Sequence, residues 1–182
     1  MEALGHSTRP TKGTFFMAEI TLGGNPVHTG GTIPAPGSAA PDFTLTGRDL
    51  GPLTMSDFVG KKLLINIFPS LDTATCASSV RTFNAAAAEL ENTNVLCISA
   101  DLPMAHGRFC AAEGIENVTT ASIFRSPEFP ESYGVSFLDS KMVGLCARAV
   151  VVVDETGAVL HSELVSEVGL EPNYEAAIAA LG

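Results

Sequence analysis

LLINIFPSLDTATCASSVRTFN, residues 63–84, is the stretch whose reading decides the fold. The apolar run Leu63–Phe68 breaks at Pro69, and a polar turn with two threonines leads to Cys76. Beyond it Val80, Phe83, Ala87 and Leu90 recur three or four residues apart, the period of a helix with one buried face. A buried strand, a breaker and a helix carrying a cysteine in its first turn have a chemical consequence. Free backbone N–H groups and the positive end of the helix dipole favour thiolate over thiol there. Cys76 is therefore the candidate nucleophile, against the ordinary alternative of a small buried hydrophobe. The Thr73 hydroxyl can meet the sulfur or a bound oxygen, or it can cap the helix, as can Asp72. Pro69 has no N–H to offer; it either packs over the turn and excludes water or simply breaks the strand.

Downstream, Asn92-Thr93-Asn94 closes this helix and Val95–Ser99 is a second continuous apolar strand. Two such runs, buried on both faces, predict a parallel pair joined by a crossover helix. Asp101-Leu102-Pro103 opens another helix, with proline in its first turn and Phe109, Cys110 and Ala112 further along. Pro127–Tyr133 predicts a short helix. Ala147–Val153, the longest β-branched run, predicts a central strand that returns through Asp154–Gly157 as Val159–Leu164. Glu171-Pro172 opens a last helix, Tyr174–Leu181. Upstream, Thr54–Phe58 predicts a helical turn, Phe43–Leu45 a short strand, and 30–41 a loop. Ile20–Leu22 and Val27-His28 predict a hairpin turning on Gly23-Gly24-Asn25-Pro26. Residues 1–16 have no period and are expected to form a disordered extension. The order β-α-β-α, a variable connection, then β-β-α is that of a thioredoxin fold. The expected class is α/β, a central mixed β-sheet flanked by helices, with an N-terminal β-hairpin.

Composition narrows the function. The chain has 182 residues, 46% of them hydrophobic and 16% charged, which suits one globular domain able to build a core without staples. A net charge of −10 argues against a nucleic-acid partner, which would need a basic face. No apolar run approaches the ~18 residues of a membrane span, and the first thirty residues have no secretory pattern, so a cytoplasmic protein without a membrane partner is expected. Cysteines at 76, 97, 110 and 146 form no C-x-x-C pair, and His6, His28, His106 and His161 are scattered, without the close spacing of a zinc site. In a reducing compartment these thiols stay free, and any disulfide is transient and catalytic.

Pro69-x-x-x-Thr73-x-x-Cys76 resembles the active-site loop of the peroxiredoxins. With DLPMAHGRFCAAEG at 101–114 and ARAVVVVD at 147–154, the chain resembles their thiol peroxidase subfamily from about Met17 to its end. That resemblance divides the chain into an extension (1–16), a β-hairpin (17–32) and a thioredoxin-like peroxiredoxin domain (33–182). It implies that Cys76 is the peroxidatic cysteine, whose thiolate takes an oxygen from hydrogen peroxide or an alkyl hydroperoxide and becomes a sulfenic acid. Thr73 would then hydrogen-bond the sulfur and the peroxide, and Pro69 would shield them. Arg148, on pattern alone a strand-end surface residue, would meet the same site and bind the peroxide oxygens. Cys110, otherwise a helix-face cysteine packed beside Phe109, would be the resolving cysteine of a Cys76–Cys110 disulfide that thioredoxin reduces. Two cysteines on different helices exceed the ~7 Å that a disulfide allows between Cα atoms, so both segments are expected to unravel locally in each cycle. No metal or organic cofactor is implied, and the family's homodimer is expected. Cys97 reads as a buried strand residue. Cys146, where relatives carry a small or apolar residue, is left as a bystander or an off-pathway disulfide partner. The competing functions are a general thiol–disulfide oxidoreductase, weakened by the missing C-x-x-C, and a peroxide-responsive sensor that relays oxidation to a partner.

Overall fold

The computed structural model describes residues 17–182; the extension expected at 1–16 lies outside the described residues. In chain order the elements are β1 (Met17–Leu22), β2 (Asn25–Gly30), β3 (Thr44–Gly47), β4 (Pro52–Thr54), a 3₁₀ turn (Met55–Phe58), β5 (Lys62–Ile67), α1 (Ala74–Ala87), β6 (Thr93–Ser99), α2 (Pro103–Glu113), β7 (Thr119–Ser122), α3 (Phe129–Ser132), β8 (Ser136–Phe137), β9 (Ala149–Val153), β10 (Val159–Leu164) and α4 (Tyr174–Ala179). Seven strands make one sheet in the order β10-β9-β5-β6-β7-β3-β4, and β1-β2-β8 make a smaller one. β5 pairs in parallel with β6 and antiparallel with β9, so the sheet is mixed and β5 is one of its interior strands. This is the thioredoxin-type architecture, with the hairpin added at the N-terminal end.

Side chains alternate across a strand, which explains why the central strands read as unbroken apolar runs. Leu63, Ile65 and Ile67 of β5, with Ala149, Val151 and Val153 of β9, face one core that also takes Ile20 and Val27 of the hairpin and Phe129 of α3. Leu64, Val150 and Val152 face the other, filled by Val80 and Phe83 of α1, Cys110 of α2 and Ala177 of α4. Cys76 belongs to this second core.

The structure departs from the expected elements where local pattern is weak. Gly23 (φ +61°) and Gly24 (φ +77°) alone make the hairpin turn, since a two-residue turn of this hand needs positive φ at both positions. Asn25 and Pro26 are therefore in β2, opposite Leu22 and Thr21. The strand expected at Phe43–Leu45 runs instead over Thr44–Gly47, and Phe43 packs against Phe58, Phe129 and Tyr133. α1 ends at Ala87, so Leu90 reaches its core from the following loop. Strands β4, β7 and β8 carry no apolar alternation that would announce them. β7 is Thr-Thr-Ala-Ser, held between β6 and β3 by backbone pairing.

Candidate active site

The site starts where β5 stops. Phe68 still donates its N–H to Ile98 O at 3.0 Å, and buried Pro69 then turns the chain away from the sheet. Thr73 takes the N-cap position of α1 with extended backbone (φ −105°, ψ 142°), and its Oγ1 accepts the Cys76 N–H at 3.3 Å. The same hydroxyl donates to Ser70 O at 3.3 Å. Thr73, not Asp72, is thus the cap, and its hydroxyl is engaged with backbone groups rather than with the sulfur. Cys76 is the third helical residue and is fully buried.

Arg148 comes to this turn from the residue before β9. It is 1% exposed, and its Nη2 donates to Cys76 Sγ at 3.4 Å and to Val168 O at 3.3 Å. Its Nε and Nη1 are buried without a partner. Buried polar groups are almost always paired, and a buried cation especially so. The two unused donors flank the Nη2 that meets the sulfur, so either can receive an electron-rich oxygen.

The carbonyl that steadies Arg148 belongs to a loop that is itself clamped. The Glu167 carboxylate accepts from the N–H groups of Gly24 (3.0 Å), Gly23 (3.0 Å) and Gly169 (3.1 Å) and from the Thr21 hydroxyl (2.7 Å). These bonds, the one from Gly24 foremost, hold its carboxyl down at about 2. The hairpin turn thereby pins the loop from which Val168 meets Arg148 and Gly169 O accepts the Thr75 hydroxyl at 3.2 Å. Sequence reading missed Glu167. Little in its neighbourhood marks it, because three of its four partners lie about 145 positions upstream.

Cys76, Thr73, Pro69 and Arg148 thus meet at one turn, whereas Cys110 stands apart on α2. α1 packs on β6 while α2 packs on β7. The Cys76 and Cys110 side chains both belong to the second core. All four thiols are free. The helices are tied at their C-terminal halves, through the Arg81 Nε–Glu113 Oε2 ion pair (2.7 Å) and through Asn84 Oδ1, which accepts from the N–H groups of Glu116 (3.1 Å) and Asn117 (2.8 Å). The first turn of α1 lies outside these ties. Burial pushes the Cys110 thiol up from its usual value, while the Arg48 charge and the adjacent Thr120 hydroxyl act in the opposite sense. Arg48 was also missed, having no local pattern that points at Cys110.

Cys97 is the buried strand residue expected, its Sγ accepting from Asn66 Nδ2 at 3.7 Å. Cys146 packs into the other core, so the sheet separates it from Cys76, which argues against a disulfide between them in the folded chain. Burial pushes both thiols up to about 12. The sign follows: above the ordinary thiol value of 9.0 the unfolded chain releases these protons and the folded chain keeps them. Stability contributed by the two thiols is complete below pH 9 and lost between there and 12, by about 1.4 kcal/mol per pH unit for each. Urea midpoints measured from pH 8 to 10 are expected to fall less steeply in Cys97→Ala than in the unmodified chain; equal slopes would contradict this.

The sequence profile of the Redoxin family matches residues 35–178. A thiol peroxidase of Mycobacterium tuberculosis is 57% identical over 166 residues, 91% of this chain and 99% of its own length. One of Corynebacterium glutamicum is 54% identical over 165 residues, with the same shares of the two chains. The crystal structure of a peroxiredoxin-like protein from Aquifex aeolicus superposes with a TM-score of 0.85 at 36% identity, covering 91% of this chain and 96% of that one.

Proposed function

The chain belongs to the redoxin family, in the thiol peroxidase branch of the peroxiredoxins, and we propose that it reduces hydrogen peroxide and alkyl hydroperoxides through Cys76. The Cys76 sulfur attacks one peroxide oxygen. An S–O bond forms, the O–O bond breaks, and the departing oxygen leaves with the electron pair and a proton as water or alcohol, giving a sulfenic acid. Arg148 holds the peroxide through a donor beside the Nη2 that faces the sulfur, and meets the charge that develops on the departing oxygen, the work of an oxyanion hole. The observation that supports this best is that pair of buried donors beside Cys76 Sγ with nothing to bind. Burying a guanidinium costs several kcal/mol unless its donors are satisfied, and a bound peroxide would satisfy them. Thr73 shapes the helix start, and the second lone pair of its hydroxyl can accept the peroxide O–H while the bonds to Ser70 O and the Cys76 N–H stay in place. Pro69 keeps water from the turn.

Cys110 then attacks the sulfenic sulfur. The S–S bond forms, the S–O bond breaks, and the hydroxyl leaves with the Cys110 proton as water. Thioredoxin supplies the two electrons that reopen the disulfide. The protein acts in the cytoplasm as a homodimer, in antioxidant defence and redox homeostasis. Cys110→Ser is expected to consume one equivalent of peroxide per chain and then stop, with a sulfenic acid at Cys76 that dimedone traps. Sustained thioredoxin-dependent turnover in that variant would remove Cys110 from the reading.

A further inference from the structure

Asp101 follows β6 and stands two residues before α2 begins. Its carboxylate accepts from the Leu71 N–H (2.7 Å), the Ser70 hydroxyl (2.7 Å) and the Ser99 hydroxyl (2.7 Å). Three bonds at this distance to one carboxylate are of the strong, charge-assisted kind. The Ser99 hydroxyl has a single proton and directs it at Asp101, so towards His106 Nε2, 2.9 Å away, it can only accept. His106 is therefore the Nε2–H tautomer, and its Nδ1 is buried without a partner. A second ring proton would have no acceptor, and burial holds His106 neutral, its value pushed down to about 4.

The two ends of this chain of bonds lie at the turn that presents Cys76 and on the helix that carries Cys110, the two segments expected from the sequence to open locally for a Cys76–Cys110 bond. Ser70 and Leu71 belong to the turn that presents Cys76, and Ser70 O is also the acceptor of the Thr73 cap hydroxyl. His106 lies one helical turn before Cys110, on the same face of α2. We propose that Asp101 is a positioning residue shared by both thiols: it holds the Cys76 turn in the form that meets peroxide, and through Ser99 and His106 it holds the Cys110 turn closed until the sulfur is oxidised. The proposal rests on Cys110 as the resolving thiol. Asp101 is only half-buried, so when the latch opens water replaces the lost donors and opening remains accessible within a catalytic cycle.

Rapid mixing with peroxide, quenched and read by intact mass, separates sulfenic acid formation from disulfide formation. Asp101→Asn keeps the shape but removes the charge, and is expected to slow the first step and speed the second, each by about tenfold, the equivalent of one charge-assisted bond. Ser70→Ala, which frees only the Cys76 arm, slows the first step. His106→Leu, which frees only the Cys110 arm, leaves the first step unchanged and speeds the second. Faster resolution also lowers the sulfinic acid formed at Cys76 under excess peroxide in Asp101→Asn and His106→Leu. A merely structural Asp101 would lower both rates together, and that result overturns the latch, as does a resolution rate unchanged in both Asp101→Asn and His106→Leu. Ser70→Ala and His106→Leu carry the test if Asp101→Asn does not fold. Failure of the underlying reading is seen separately, in the unmodified chain, as the absence of any Cys76–Cys110 bond after one equivalent of peroxide.

Discussion

Cys76→Ser is expected to abolish peroxide consumption, by about 10⁴-fold or more, while leaving the fold intact. A serine hydroxyl stays protonated near neutral pH, and its oxygen cannot accept a second oxygen as sulfur does on its way to a sulfenic acid. The structural cost is small. The Thr73 cap is made to the Cys76 backbone N–H, which the substitution keeps, and serine is well tolerated at the start of a helix. The hydroxyl can still accept from Arg148 Nη2. Thermal unfolding is therefore expected within a few degrees of the unmodified protein, and stopped-flow consumption of hydrogen peroxide at the level of the uncatalysed reaction. Residual turnover above about 1% of the original, a small fraction beside losses seen when a nucleophile is deleted, would mean that another thiol does the chemistry.

Arg148→Met tests whether a buried cation is kept for function rather than for stability. Removing one fixed donor from a developing oxyanion costs about 10²–10³ in rate, and loss of that order is expected in the second-order rate constant with peroxide. Stability should move the other way or not at all. The folded chain carries two Arg148 nitrogens without partners, and even complete buried ion pairs can often be replaced by apolar side chains of similar volume with a change that is neutral or stabilising by about 1–4 kcal/mol. Arg148→Lys keeps the charge and loses the planar fork, so it is expected to fall between the two, because a point charge cannot hold Val168 O, the sulfur and a peroxide together. Stopped-flow rates set against urea denaturation of the same proteins decide the matter. A rate unchanged in Arg148→Met, or a rate loss matched by a proportionate loss of stability, would take Arg148 out of the chemistry.

The 63–84 stretch was legible because strand and helix impose different periods on apolar residues, and the break between them falls at Pro69. That reading locates Cys76 in the first turn of α1, and the long run before Asp154 marks β9 as a central strand. β7 was not legible, since a Thr-Thr-Ala-Ser strand is specified by the backbone donors and acceptors of β6 and β3 rather than by its own side chains. The site divides in the same way. Pro69, Thr73 and Cys76 are within eight positions of one another, and local chain geometry relates them. Arg148 is 72 positions from Cys76, and on pattern alone it read as a strand-end surface residue; its burial at the sulfur follows from the antiparallel pairing of β9 with β5. Glu167 and Arg48 gave no signal, and Asp101 read only as the opening of α2.

The amino-acid order by itself determined the element sequence around the central strands, the helix-start position of one cysteine and the absence of a C-x-x-C pair. Tertiary structure alone decided which charge faces that sulfur, which loop holds that charge, and which core each remaining thiol enters. The reason is physical. Period and capping act over three or four neighbouring residues, whereas the partners of a buried cation or carboxylate are chosen by strand order and helix packing, which bring together positions that no local pattern relates.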